Sequence, residues 1–149
     1  MSDELEVSWE AYVSAVEKLC DSILNTGINN FSVIIGLTRG GLIPAVRLSH
    51  RVGLPMFAFD PHVLHSDGTA RQEVHLPIDP AVTRRIMIVD DISDSGKTLD
   101  KVAKFFAARG FFVETAAVYI NKKTTIHVPP YYVVDSKKKW IKFPYEDEI

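Results

Sequence analysis

Between Trp9 and Leu24 the apolar residues Trp9, Tyr12, Val13, Val16, Leu19, Cys20, Ile23 and Leu24 recur at three- and four-residue spacing, the period of one helix face. With Ser8 as N-cap, the pattern predicts an amphipathic helix over 9–25. Short apolar runs then replace the helical period. Phe31 to Gly36 and Pro55 to Asp60 are brief and bounded by turn residues, which predicts two strands, while Leu42 to Val52 returns to helical spacing and stops at Gly53. Arg85 to Asp90 predicts the central strand. Ser95 to Arg109 predicts a helix with Leu99, Val102, Phe105 and Phe106 inward and Gly110 as its stop, and Phe112 to Ile120 and Tyr131 to Asp135 predict two more strands.

Strands alternating with helices predict an α/β fold, a mostly parallel central sheet flanked by helices. Such sheets bind ligands beyond the carboxyl ends of their strands. The pattern breaks between Pro61 and Asp79, where His62, His65, Ser66, Asp67, Gly68, Thr69, Arg71 and Gln72 follow no sustained period. A loop of that length inside a compact domain is functional or disordered, and it reads as a mobile lid over about 61–79. No repeat, low-complexity tract or linker divides the chain, so residues 1–149 read as a single domain.

Composition narrows the picture by exclusion. A chain of 149 residues with 46% hydrophobic and 24% charged residues has enough material for one real core. A net charge of −2 gives no electrostatic attraction to nucleic acid or to an anionic membrane. No apolar run approaches the ~18 residues of a membrane span, and the acidic start Met1-Ser2-Asp3-Glu4-Leu5-Glu6 lacks the basic end and apolar core of a signal peptide. The single Cys20 falls on the apolar helix face, where it reads as a buried, inert thiol. A cytoplasmic protein is expected.

The candidate chemistry lies at the predicted strand ends. Asp90 and Asp91 close the central apolar run, where two carboxylates accept hydrogen bonds from sugar hydroxyls or hold a divalent cation through water. Taken alone, the pair is equally a solvated turn with a helix-capping acid. The next turn, Asp94-Ser95-Gly96-Lys97-Thr98, changes the balance. Its small residues let backbone N–H groups converge at a helix N-terminus, and the Ser95 and Thr98 hydroxyls add donors, which makes a phosphate cradle. Gly96-Lys97-Thr98 also matches the end of a nucleoside triphosphatase P-loop, but Asp91 stands where that motif needs its first glycine, and Lys97 then reads as a solvent-facing helix residue. A second cradle is Gly36-Leu37-Thr38-Arg39-Gly40-Gly41, where Gly40 and Gly41 offer unusual backbone conformations and free N–H groups and Arg39 adds charge. Two such turns on one small sheet point to a ligand with phosphate at both ends.

The segment Val89 to Leu99 reads hydrophobic strand, two acids, two intervening residues, then acid, small residue, glycine, any residue, threonine. In that order it resembles the signature of the type I phosphoribosyltransferases, enzymes that use 5-phosphoribosyl 1-pyrophosphate, and Gly36 to Ala45 resembles their pyrophosphate loop. The likeness extends across most of the chain to the compact bacterial xanthine-guanine and archaeal 6-oxopurine members, whose base-covering hood lies at the C-terminus, here about 121–149. It implies transfer of the phosphoribosyl group to N9 of hypoxanthine, guanine or xanthine, releasing pyrophosphate and a nucleoside monophosphate, with Mg2+ as cofactor and a homodimer or homotetramer as the assembly. By the same resemblance, Thr38, Arg39, Gly40 and Gly41 hold pyrophosphate, joined by Arg71 as the lid closes. Asp90 and Asp91 meet the ribose hydroxyls directly or through the metal's water shell; Asp94, Ser95, Gly96, Lys97 and Thr98 hold the 5′-phosphate; Asp94 also manages the proton on purine N7. Lys122 falls where the purine O6 contact lies, and Trp140 with Ile141 resembles the base-stacking pair.

The chain departs from the family pattern in the lid, where Leu64 and His65 replace a common Ser-Tyr pair. Other readings stay open at this level. Lys122 beside Lys123 also reads as a solvated lysine, and Trp140 as a core or interface anchor. The acceptor is alternatively orotate, adenine or a pyrimidine. A nucleotide-sensing regulator of the same fold is a further alternative, although neither the net charge nor any helix-turn-helix extension supports nucleic-acid binding.

Overall fold

In the computed structural model, which describes residues 4–26 and 31–146, the elements run β1 (Glu4–Glu6), α1 (Trp9–Thr26), β2 (Val33–Leu37), α2 (Leu42–Val52), β3 (Met56–Phe59), β4 (Arg85–Ser93), α3 (Lys97–Ala108), β5 (Phe112–Ile120), β6 (Val134–Asp135) and β7 (Trp140–Lys142). Strands β2 to β6 form one parallel sheet in the order β3-β2-β4-β5-β6, with β4 in the middle. The expected α/β architecture is present. Ser8 caps α1 through its hydroxyl, which accepts the Ala11 N–H at 3.1 Å, and Gly53 ends α2 in the left-handed region at φ 71°.

Alternation along the strands splits the interior in two. Ile34, Met87, Val89, Ala116 and Val118 face α1, α2 and the C-terminal residues Ile141 and Phe143. Val33, Ile35, Leu37, Ile86 and Ile88 face the opposite way, against Leu99, Val102, Phe105 and Phe106 of α3. A sheet covered on both faces needs near-continuous apolar strands, as these are. Each fully buried aliphatic side chain contributes about 1.5–3 kcal/mol.

Several boundaries differ from the expectation for physical reasons. Strand β4 does not end at Asp90: Asp90 pairs with Ala117, Ile92 with Tyr119 and Ser93 with Ile120, so both acids are strand residues held by the ladder. Helix α3 starts at Lys97, not Ser95, because Gly96 adopts φ 78° just ahead of it. Of the stretch 131–135, only Val134–Asp135 pairs as a strand; Tyr131 makes an isolated bridge to Ala116, following two prolines that cannot donate to a ladder. Strands β1 and β7 form an unforeseen parallel pair, Leu5 opposite Ile141. Three alternating residues such as Glu4-Leu5-Glu6 are too few to read as a strand from sequence. No helix among the described residues is long and apolar enough to cross a membrane.

The 61–79 segment is folded back onto the body. Pro61–Val63 is a short 3-10 turn capped by Asp60, and Leu64 bridges Ala70 in antiparallel fashion. Leu64 is 1% exposed, and Val74, Leu76 and Ile78 pack on the α3 core. The tip, Asp67 to Ala70, lines a cleft with Lys104, Phe105, Ala108 and Arg109. Val74, Leu76 and Ile78 alternate with His75, Pro77 and Asp79, a period of two that is too short, and broken by a proline, to announce a strand.

Candidate functional site

The acid pair stands beyond the middle of the sheet. Asp90 Oδ1 accepts the Asp91 N–H at 2.8 Å. Burial, then the Asp91 charge beside it, raises the Asp90 carboxyl well above the ordinary range for aspartate. Asp91 Oδ2 accepts the Tyr145 hydroxyl at 2.5 Å. Gly40 faces the same carboxylate: a Cβ there would lie 1.9 Å from Asp91 Oδ2. The first cradle and the acid pair are therefore in direct contact.

That cradle follows β2. The Thr38–Arg39 peptide is cis. The Gly41 N–H donates to Leu37 O at 2.9 Å and the Leu42 N–H to Arg39 O at 3.2 Å. Gly41 thus does not supply the free N–H expected of it; among the described residues Arg39 and Gly40 keep theirs unbonded. Nor does either glycine have a positive φ. They are needed for space, since a Cβ on Gly41 would sit 2.5 Å from Val89 O.

The second cradle follows β4. Asp94 Oδ1 accepts the Asn121 side-chain amide at 3.2 Å, and Asp94 O accepts the Thr124 hydroxyl at 2.9 Å. Ile126 N–H donates to Ser95 O at 2.8 Å. Gly96 is pressed against the same segment, where a Cβ would meet Thr125 Oγ1 at 2.3 Å and His127 N at 2.7 Å. Ser93 Oγ donates to His127 O at 2.8 Å. Lys97 and Thr98 are exposed, and the Lys97 N–H points to Ser95 Oγ at 3.3 Å. Among the described residues the N–H groups of Ser95, Gly96 and Thr98 have no partner, and they lie at the start of α3, where an anion is favoured.

The hood closes the arrangement. Asp91, Ile92, Asp94, Trp140 and Ile141 line one recess of about 160 Å³. It adjoins a cleft of about 440 Å³ bounded by Asp94, Ser95, Asn121, Thr124, Lys138, Lys139 and Trp140. Trp140 is 65% exposed and offers a free ring face, whereas Ile141 is 2% exposed and anchors β7 in the core. Two expected residues lie apart from the recess. The Lys122 ammonium sits 5.1 Å from the Tyr132 ring centroid. Arg71 Nε donates to His62 O at 3.0 Å within the folded-back loop.

Sequence reasoning missed Asn121 and Tyr145, the two side chains that hold the acids. A buried asparagine after an apolar strand, 4% exposed, was the one available signal, since buried amides need partners. Cys20 fits its expectation: burial pushes its thiol up to about 11, away from nucleophilic chemistry. A larger concavity of about 710 Å³ lies between α3 and β5, lined by residues such as Ala103, Phe111, Val113 and Val128, but it has neither cradle N–H groups nor the acid pair.

A divalent cation fits the donor set. Among the described residues no cluster of three or more His, Cys, Asp or Glu forms a closed cage. Magnesium does not need one, because it commonly takes one or two carboxylates and completes its shell with water and ligand oxygens. Asp90 and Asp91 are such a pair.

Residues 7–148 match the family model described as phosphoribosyl transferase domain. The chain is 29% identical over 153 aligned positions, covering 94% of it and 85% of the relative, to a xanthine-guanine phosphoribosyltransferase of Cereibacter sphaeroides. Among solved structures it is similar to a purine phosphoribosyltransferase from Pyrococcus horikoshii, with TM-score 0.79, 33% identity and coverage of 99% of this chain and 97% of that one. A Helicobacter pylori xanthine-guanine-hypoxanthine phosphoribosyltransferase shares the fold at TM-score 0.75 and 18% identity, covering 94% and 90% of the two chains.

Proposed function

Because the chain belongs to the phosphoribosyl transferase domain family, we propose that it transfers the 5-phosphoribosyl group of 5-phosphoribosyl 1-pyrophosphate to N9 of a 6-oxopurine, releasing pyrophosphate and a nucleoside monophosphate. The observation that supports this best is the single recess shared by Asp91, Asp94, Trp140 and Ile141, set between two cradles with unbonded N–H groups.

In this reading the Ser95, Gly96 and Thr98 N–H groups grip the 5′-phosphate at the start of α3. The Arg39 and Gly40 N–H groups and the Arg39 guanidinium bind the pyrophosphate. Asp90 and Asp91 accept the ribose hydroxyls and share Mg2+, which when bound neutralises charge on the departing pyrophosphate. Trp140 stacks on the base, and Asp94, oriented by Asn121, takes the proton that N9 attack leaves to be managed at N7. Arg71 reaches the pyrophosphate after the 61–79 loop leaves its folded-back position, excluding water from an electron-poor ribosyl carbon. Assembly as a homodimer or homotetramer and a cytoplasmic location go with the same reading.

The test is pyrophosphate release from 5-phosphoribosyl 1-pyrophosphate and Mg2+ against a panel of bases. Hypoxanthine, guanine or xanthine should support release that chelation of Mg2+ abolishes. Faster release with adenine, orotate or uracil would replace the 6-oxopurine with another acceptor. That second reading draws on the place of Lys122, whose ammonium lies over Tyr132 and outside the recess.

A further inference from the structure

Tyr145 crosses from the end of the hood to the acid pair. Its hydroxyl donates to Asp91 Oδ2 at 2.5 Å. The ring has no freedom to wander. Phe143 stacks on it at 5.3 Å with planes 7° apart, Tyr12 meets it edge-on at 5.6 Å, and Trp9 lies at 6.3 Å. Gly40 lies against the same carboxylate, where a Cβ would meet both Asp91 Oδ2 and the Tyr145 hydroxyl.

We propose that Tyr145 is a positioning residue for Asp91. Left alone, the Asp91 carboxylate would turn among its own side-chain rotamers. The Tyr145 hydroxyl and the gap above Gly40 hold it in place, and one oxygen of Asp91 remains to meet the ribosyl part of the ligand and its cation. The hood therefore serves the sugar end as well as the base, through a side chain only a few residues past Trp140. This inference rests on the transfer reading above.

Tyr145→Phe keeps the ring and removes the donor. The Kd and KM for 5-phosphoribosyl 1-pyrophosphate with Mg2+ should rise about tenfold, the scale of one hydrogen bond to a charged group. The KM for the base and the melting temperature should not move, and kcat should stay within about twofold, because the lost contact holds ground and transition states alike. Combined with Asp91→Asn, Tyr145→Phe should add nothing, since it acts through Asp91. Unchanged ribosyl diphosphate constants, a parallel rise in the base KM, or additive effects in the double variant would overturn the role. Wild-type protein that neither binds nor turns over the ribosyl diphosphate would instead refute the transfer reading itself.

Discussion

The cradle after β2 and the cradle after β4 both present unbonded N–H groups at a strand end, yet they are held in shape by different means. The first is fixed by its own backbone and by the neighbouring strand β4: Gly41 bonds back to Leu37, and the glycines fit against Val89 O and the Asp91 carboxylate. The second is fixed from far along the chain. Asn121, Thr124, Thr125, Ile126 and His127, all from the stretch after β5, brace Asp94, Ser95 and Gly96. The same stretch leads into the hood. A ligand in the second cradle is therefore linked mechanically to the base end, whereas one in the first is linked to the acids.

Breaking the second cradle at its chemical centre should have the largest effect. Asp94→Asn keeps the Asn121 contact in reach but loses the base, so kcat should fall about 10²–10⁴-fold with ribosyl diphosphate binding intact; single-turnover measurement separates the two. Next comes Gly96→Ala, which forces a Cβ into φ 78° and against the His127 backbone. It should cost about 1–3 kcal/mol of stability in denaturant titration and weaken the 5′-phosphate grip by about tenfold or more.

Asn121→Ala tests the long-range brace alone. It should lower kcat about tenfold, and its effect should vanish on an Asp94→Asn background, because both act on one interaction. An additive result would uncouple the brace from the chemistry. The smallest effect belongs to the first cradle's neighbour. The raised Asp90 carboxyl means that the folded state disfavours its charged form, so its contribution to stability is full below the unfolded value near pH 4 and lost as pH rises through the folded one. Asp90→Asn should accordingly raise the melting temperature of the free protein at neutral pH and lose that advantage in acid; calorimetry across pH reads it directly.

The helices were legible because an apolar period repeats over many residues, as from Trp9 to Leu24, and the inner strands because they are short continuous apolar runs, as from Ile86 to Val89. The β1–β7 pair was not, since a three-residue strand has no period and its partner lies at the far end of the chain. The 61–79 segment illustrates another limit: Leu64 is a core residue without a local pattern, and the alternation of Val74, Leu76 and Ile78 is too short to show that they pack against the α3 core. The site divides similarly. Local motifs located Asp90, Asp91, Asp94 and both cradles, and Asp91 and Asp94 meet Trp140 at one recess. Asn121 and Tyr145 escaped notice because their partners are remote in sequence. Lys122 and Arg71 stand outside the recess, where no local spacing rule predicts a side chain's direction.

The sheet that separates the two interior clusters also sets how the molecule can vary. Hood residues Ile141 and Phe143 are rooted among α1 and α2, while the helix that opens the 5′-phosphate cradle is rooted on the other face with Phe59, Leu64 and Phe111. Substitutions rooted on opposite faces and more than about 7–10 Å apart add independently. Under the proposed function, lineages or engineers are thus free to retune which base the hood accepts by altering one cluster while the phosphate grip is inherited unchanged, and the segment after β5 is where those two inheritances must stay compatible.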